Sequence, residues 1–145
     1  MYLVSSCLAG INCRYDAGNN VNEKVLNLVK QGKAVMVCPE QLGGLLAPRV
    51  CCEIVKNKNG DIKVMGKDGQ DYTKEFMDGA EKTLLIAKIS GSEKAILKSR
   101  SPSCGYGLIY DGTFSGKLTG GNGLTAELLG KNGIKIYSEN EIDKI

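Results

Sequence analysis

The sequence predicts an α/β fold built around a mainly parallel sheet of about four strands, with one β-hairpin outside the sheet. Short apolar, β-branched segments alternate with helical patterns, as in folds whose parallel strands are joined by crossover helices. Asn59-Gly60 is a strong hairpin signal that interrupts this alternation once. Three cysteines follow predicted strands, where the loops at one edge of a parallel sheet meet.

The first two predicted strands enclose one helix. Residues 2–5 form an apolar strand, which is followed by a polar, glycine-containing loop. Residues 21–31 place three apolar side chains at helical spacing before Gly32, and they therefore predict a helix. Residues 33–38 are a short β-branched run, which is typical of a buried strand.

The rest of the chain contains the hairpin, two further strands and two helices. The hairpin is predicted to join residues 53–58 to residues 61–66. The other predicted elements are a long amphipathic helix over 71–89, a third main strand over 93–98, a glycine-rich loop region up to 123, a short helix over 124–129, a fourth strand over 134–137 and a polar end over 139–145. The four main strands fit the order 2-1-3-4 of a flavodoxin-like or Rossmann-like three-layer domain, whose ligand crevice would lie beside Cys7 and Cys104.

Composition narrows the functional classes. The net charge is +3 and no basic tract is present, so a dedicated nucleic-acid surface is not expected. The apolar runs are far shorter than the ~18 residues of a membrane span, and the chain starts as a strand rather than as a signal sequence, so we expect a cytoplasmic protein. The lack of histidine excludes Cys₂His₂ zinc sites and Ser-His-Asp or Cys-His catalysis. No repeat or linker divides the chain, so residues 1–145 are interpreted as a single domain.

The cysteines are the strongest candidates for a functional site. Six cysteines are about 4% of the chain, below the content of disulfide-rich scaffolds, and in a reducing compartment they favour metal ligands or catalytic groups. Because Cys7, Cys38 and Cys104 each follow a main strand, we expect their thiols to share a metal or cluster. Zinc with a bound water and a [4Fe-4S] cluster with one open iron both suit three thiols. The lack of a C-x-x-C pair favours the cluster, and Cys13 could supply a fourth ligand.

Polar residues near these cysteines are candidates for catalysis and substrate binding. Glu40 follows the second strand at the expected crevice, where partial burial would raise the pKa of its carboxyl and let it act as a general base. The loop after the third strand carries Arg100, Ser101 and Ser103, whose guanidinium and hydroxyls could hydrogen-bond a bound anion or carbonyl.

Three further features are compatible with more than one role. Arg14 could contact substrate or simply pair with a neighbouring carboxylate and order its loop. The run over 119–125, which includes Gly121, opens a helix whose amides could bind a phosphate. Cys51 and Cys52 begin the hairpin, and because neighbouring side chains of a strand point to opposite faces, we interpret them as structural rather than as members of one site.

A series of multi-residue blocks runs through nearly the whole chain. The blocks are V-S-S-C-L-A-G-I-N-C-R-Y-D, C-P-E-Q-L-G-G-L, L-K-S-R-S-P-S-C-G-Y-G, I-Y-D-G-T-F, L-T-A-E-L-L and G-I-K-I-Y-S-E. In this order they resemble the pattern of a bacterial family known as DUF523, whose members include thiouracil desulfidases. The chain differs from that pattern at Cys51-Cys52, since Pro or Ala is expected before Glu53.

This resemblance implies a specific site and reaction. A [4Fe-4S] cluster would be held by Cys7, Cys38 and Cys104, and its open iron would bind the thiocarbonyl sulfur of the substrate. Glu40 and Ser101 match the catalytic positions of the family. The expected reaction is a non-redox desulfidation of 2- or 4-thiouracil, or of its nucleotide, to uracil and sulfide. The expected partner is therefore a small thiolated pyrimidine.

Two other functional classes stay open on the sequence alone. A zinc- or iron–sulfur-binding module without turnover would use four protein thiols and leave no open metal position. A thiol oxidoreductase is disfavoured by the lack of a C-x-x-C motif. The charge of +3 favours a free base or nucleotide over RNA as the substrate, with Arg14 or Arg100 and the loop at 120–123 contacting any phosphate.

Overall fold

A computed structural model describes residues 1–145 and contains eight strands and four α-helices. The strands are β1 (Tyr2–Ser5), β2 (Ala34–Val37), β3 (Cys52–Lys56), β4 (Ile62–Gly66), β5 (Lys94–Leu97), β6 (Leu108–Tyr110), β7 (Leu118–Gly120) and β8 (Lys135–Ser138). The helices are α1 (Glu23–Lys30), α2 (Pro39–Leu42), α3 (Thr73–Ser90) and α4 (Leu124–Lys131), with 3₁₀ helices at Ser6–Ala9 and Glu139–Lys144. None of these helices is both long enough and apolar enough to cross a membrane.

The central sheet confirms the predicted α/β fold. Four parallel strands lie in the order β2-β1-β5-β8, which is the predicted order 2-1-3-4 of the main strands. Successive side chains of a strand point to opposite faces of the sheet. Leu3 packs in a cluster with residues of α3 and α4, whereas Val4 packs with Val25 of α1. Burial on both faces explains why the strands are short continuous apolar runs rather than alternating ones.

Two antiparallel hairpins lie outside the sheet. The first joins β3 to β4 through Asn59-Gly60, as predicted, and its apolar residues pack with Phe76 of α3 and Ile109 of β6. The second pairs β6 with β7 inside the glycine-rich region, which the sequence analysis treats as a loop. Its strands have only three residues each, and those of β7 are all exposed, so neither produces a recognisable apolar alternation.

A close contact between α2 and α3 fixes the segment that carries Glu40. A Cβ on Gly43 would lie 1.9 Å from the backbone oxygen of Glu75, and a Cβ on Gly79 would lie 1.9 Å from that of Pro39. Both positions therefore require glycine, because any side chain would push the two helices apart. Helix α2 itself starts with Pro39 at its first position, where proline is tolerated because the missing N–H would have no helical partner.

Candidate active site

A cavity of about 580 Å³ lies beyond the carboxyl ends of β1, β2 and β5. All six cysteines of the chain line this cavity. One side of it consists of the loops that leave the parallel sheet, and the other side consists of residues from the two hairpins. The position agrees with the rule that open α/β sheets bind ligands outside the carboxyl ends of their strands.

The structure brings the three predicted ligand cysteines to this one cavity. Cys7 lies in the 3₁₀ helix that follows β1, Cys38 directly precedes α2, and Cys104 lies in the loop after β5. Cys7 and Cys104 are buried, at 8% and 5% exposure. The Cys104 Sγ accepts a hydrogen bond from the Ser5 hydroxyl at 3.3 Å, which ties the Cys104 loop to the end of β1.

Cys13 lies close to two of these thiols. Its own thiol hydrogen-bonds with Cys38 and Cys7, and its backbone oxygen accepts a bond from Cys38 Sγ at 3.7 Å. The bond with Cys38 lowers the pKa of Cys13, but the bond with Cys7 and burial outweigh it and raise that pKa to about 11. Cys13 therefore belongs to the same thiol group by position, as the sequence analysis allowed.

Burial and neighbouring groups raise the pKa of two of the cavity cysteines, Cys104 and Cys38. Burial raises the pKa of Cys104 to about 12. The hydrogen bond with Cys13 and burial raise the pKa of Cys38 as well. Any metal group bound here would have to displace thiol protons, so its binding would release protons. No three Cys, Asp or Glu side chains are gathered tightly enough to hold a single metal ion.

Glu40 is held on both carboxylate oxygens. Arg49 Nε donates to Glu40 Oε1 at 3.0 Å, and the Ser103 hydroxyl donates to Glu40 Oε2 at 2.8 Å. The two side chains of the ion pair are only 16% and 8% exposed for Glu40 and Arg49 respectively. Arg49 also donates to the backbone oxygens of Cys13 at 2.8 Å and of Leu46 at 3.2 Å. This arginine therefore joins the carboxylate to the loop that carries Cys13, a role that the sequence analysis missed.

Ser101 and Glu40 do not touch but are connected through Ser103. The hydroxyls of Ser101 and Ser103 are 2.9 Å apart. Because Ser103 gives its proton to Glu40, the remaining bond must run from the Ser101 hydroxyl to Ser103 Oγ. Ser101 Oγ in turn accepts hydrogen bonds from the backbone amides of Ser103 and Cys104, both at 3.1 Å. The result is a chain of hydroxyls that leads to the carboxylate.

The start of α4 supports this serine loop instead of lying at the cavity. The amides of Leu124, Thr125 and Ala126 donate to backbone oxygens of Pro102 and Ser103 at 2.9 to 3.1 Å. A Cβ on Gly123 would lie 2.5 Å from the backbone of Ser103, so the contact requires glycine there. The amides considered for a phosphate are thus already used, and Gly121 does not line the cavity.

The two arginines proposed for substrate binding both line the cavity. Arg14 pairs with Asp16 at 3.3 Å, bonds the side chain of Asn20 and lies over the Tyr15 ring at 5.6 Å. Arg100 makes no side-chain hydrogen bond or ion pair within the protein, and its φ is +68°. Arg14 is therefore partly committed to ordering its loop, whereas Arg100 is free to meet a ligand.

The opposite side of the cavity corrects the interpretation of Cys51 and Cys52. Strand β3 begins only at Cys52, so the alternation of a strand does not separate the two side chains, and both line the cavity. Burial, followed by the charge of Glu40, raises the pKa of Cys52 to about 12. Glu53 and Phe114 also line this side, and no motif in the sequence marked them.

Three comparisons relate the chain to known proteins. The chain matches the family described as 2-thiouracil desulfurase over residues 2–141. It is 49% identical to the uncharacterized protein YbbK of Bacillus subtilis (strain 168), over 100% of this chain and 99% of that protein. Its structure is similar to that of the [4Fe-4S]-dependent thiouracil desulfidase TudS, with a TM-score of 0.89 and 38% identity over 99% of this chain and 93% of that one. The chain therefore belongs to the 2-thiouracil desulfurase family, as the sequence blocks predicted.

Proposed function

We propose that the protein is a [4Fe-4S]-dependent desulfidase that converts thiolated uracil to uracil and sulfide. One observation carries this proposal: three strand-end thiols and the hydrogen-bonded group of Glu40, Ser103 and Ser101 line the same cavity. A metal centre and a base are thus available to one bound molecule. Membership of the 2-thiouracil desulfurase family supports the choice of substrate.

The residues of the cavity fit an iron–sulfur cluster. Thiolates are the protein ligands that iron–sulfur clusters use, and the chain offers no histidine that would favour another metal. Cys7, Cys38 and Cys104 would hold the cluster, because each follows a strand of the parallel sheet and matches a ligand position that the family resemblance implies. Three protein ligands would leave one iron open, and this iron would supply a Lewis acid for the substrate sulfur.

The side chains around the thiols account for the remaining steps. Glu40 takes a proton from a water molecule, and the water oxygen adds to the ring carbon that carries sulfur. Ser101 and Ser103 pass protons between the ring and Glu40 along their hydrogen bonds. The C–S bond then breaks and the oxygen becomes the carbonyl of uracil. Water supplies the oxygen and the two protons of hydrogen sulfide, so no electrons are transferred overall.

Arg49 keeps the base in place. Its guanidinium is nearly buried and is bonded to Glu40 and to two backbone oxygens, so the carboxylate has little freedom to rotate. A carboxylate that is already oriented loses less entropy when it meets the water molecule. Arg100, which has no protein partner, would contact the exposed end of a substrate such as a nucleotide phosphate.

The direct test combines metal analysis with one substitution. Protein purified without oxygen should contain about four iron and four sulfide per chain and should release uracil from 2- or 4-thiouracil. Glu40→Gln should keep the iron and lower kcat roughly 10²- to 10⁴-fold, since a carboxamide cannot accept the proton. Glu81→Gln, at an exposed position of α3 outside the cavity, is the control and should behave as the wild type. Full activity of Glu40→Gln would refute the role of Glu40, and zinc as the only bound metal after reconstitution would refute the proposed enzyme.

A further inference from the structure

We propose that Glu53 is the residue that selects the substrate, by accepting a hydrogen bond from a ring N–H of the thiolated pyrimidine. This inference rests on the proposed function, because it assumes that the cavity takes a pyrimidine. It assigns a role to the hairpin side of the cavity, which contributes nothing to the group around Glu40.

The Glu53 carboxylate is buried and its position is fixed. The residue is 6% exposed, lies in β3 and lines the cavity. Its Oε1 accepts the amides of Gly112 at 2.9 Å and of Phe114 at 3.1 Å. No lysine or arginine forms an ion pair with it. One oxygen thus anchors the turn that carries Phe114 and holds the whole carboxylate still.

The second oxygen, Oε2, has no donor in the protein. The buried side-chain oxygens that are enclosed without a partner belong to Glu75 and Thr125, so Glu53 Oε2 is not sealed inside the protein. Glu53 lines the cavity, and we take this accessible oxygen to be the one that faces a ligand there. Burying a carboxylate without enough hydrogen-bond donors costs free energy, because its bonds to water are lost. A ligand that brings a donor replaces one of these lost hydrogen bonds. In Glu40, by contrast, each oxygen already accepts one hydrogen bond from a side chain.

The free oxygen matches the chemistry of a thiolated pyrimidine. The ring has N–H donors beside its C=O and C=S groups, and an ionised carboxylate can only accept hydrogen bonds. Glu53 would therefore recognise a ring nitrogen that carries hydrogen and reject a ring substituted at that nitrogen. A site that hydrogen-bonds a substrate group discriminates strongly against an analogue that lacks it. The proposed ligands Cys7, Cys38 and Cys104 lie on the other side of the cavity, so a ring between the two sides could meet both.

Binding of the reaction product gives a test that does not depend on turnover. We would measure dissociation constants of uracil, 1-methyluracil and 3-methyluracil by calorimetry, using wild-type protein purified without oxygen. One of the two methyl derivatives should bind roughly ten- to hundredfold more weakly than uracil, as expected for a lost hydrogen bond to a charged group. Glu53→Gln should keep the bonds of Oε1 but present an NH₂ group to the ring. This substitution should therefore weaken the binding of uracil by a similar factor. It should also abolish the difference in affinity between uracil and that methyl derivative.

The outcomes separate recognition from a purely structural role. Glu141→Gln is the matched control, because Glu141 also accepts a backbone amide, that of Ser138 at 3.1 Å, but lies outside the cavity. If Glu53→Gln weakens all three ligands equally, Glu53 only anchors the turn and the inference is wrong. The inference is also wrong if neither methyl group weakens binding to the wild type. It is equally wrong if Glu53→Gln still binds uracil more tightly than that methyl derivative. Thiouracil turnover by the wild type, measured separately, decides the proposed function.

Discussion

The two sides of the cavity contain similar groups in different states. We call one the sheet-edge wall, formed by Cys7, Cys38, Glu40, Ser103 and Cys104, and the other the hairpin wall, formed by Cys51, Cys52, Glu53, Tyr110 and Phe114. Each has cysteines and one glutamate of low exposure. In the sheet-edge wall both oxygens of the glutamate are bonded to side chains, whereas in the hairpin wall one oxygen has no donor.

This difference follows from how each wall is built. The sheet-edge wall is carried by strands that are buried on both faces, so its loops start from fixed points. The hairpin wall rests on a separate apolar cluster around Phe76 and Ile109. A rigid wall with an oriented carboxylate suits a cofactor and a base, and a wall with an oxygen that has no donor suits recognition of the ring. The comparison therefore assigns chemistry to one wall and selectivity to the other.

Replacing a cysteine of the sheet-edge wall should have the largest effect, whereas replacing one of the hairpin wall should have little. Cys104→Ser replaces the buried thiol of a proposed cluster ligand by a hydroxyl of similar size, and iron should fall from about four per chain to below one. Cys52→Ser, on the hairpin wall, should retain the iron. Iron and acid-labile sulfide after anaerobic purification are the measurement. Equal loss of iron in Cys52→Ser would show that the hairpin wall also holds the metal centre.

Cys13→Ser refines the same experiment. Cys13 hydrogen-bonds with Cys7 and Cys38, so its thiol is close enough to be drawn into the metal site. With three ligands, as proposed, this variant should keep its cluster and its activity within a fewfold of the wild type. Loss of the cluster in Cys13→Ser would instead identify a fourth ligand and leave no iron open to substrate.

Breaking the hydroxyl chain of the sheet-edge wall should have the next largest effect. Ser103→Ala removes the link between Ser101 and Glu40, and kcat should fall by roughly one to two orders of magnitude while iron content and uracil binding are retained. Ser92→Ala is the control, because Ser92 is also buried and its hydroxyl bonds another serine, Ser90, outside the cavity. An unchanged kcat in Ser103→Ala would show that Ser101 does not act through Glu40.

The sequence was most informative about the sheet-edge wall. Strand-end positions of Cys7, Cys38 and Cys104 follow from apolar runs, and a parallel sheet brings strand ends to one edge without any detail of side-chain packing. The order of the four main strands was also predictable, because it follows from the alternation of strands and helices. The partners of Glu40 were not predictable, because Ser103 and Arg49 reach it from loops whose paths depend on the α2–α3 contact and on the start of α4.

The hairpin wall shows where sequence patterns stop being sufficient. The interpretation of Cys51 and Cys52 assumed that both lie in a strand, but β3 starts one residue later than that alternation requires. Glu53 is buried in the structure although glutamate is ordinarily exposed, and only the donated amides of Gly112 and Phe114 make this burial tolerable. These amides come from a turn about 60 residues away in sequence, so no local motif could indicate the contact.

The smallest expected effect concerns Phe114, whose ring lines the hairpin wall. Its φ of +57° is unfavourable for a residue with a bulky side chain, and the bond from its amide to Glu53 helps to hold it there. If the ring of the substrate packs on this aromatic face, Phe114→Leu should raise KM about three- to tenfold through the loss of aromatic contact. The value of kcat and the iron content should stay near those of the wild type, because Phe114 bonds none of the groups in the sheet-edge wall.

Tyr106→Leu, an aromatic substitution outside the cavity at a residue that is 47% exposed, is the control. A fall in kcat without a change in KM for Phe114→Leu would mean that the hairpin wall takes part in the chemistry, and the division between the two walls would then be wrong.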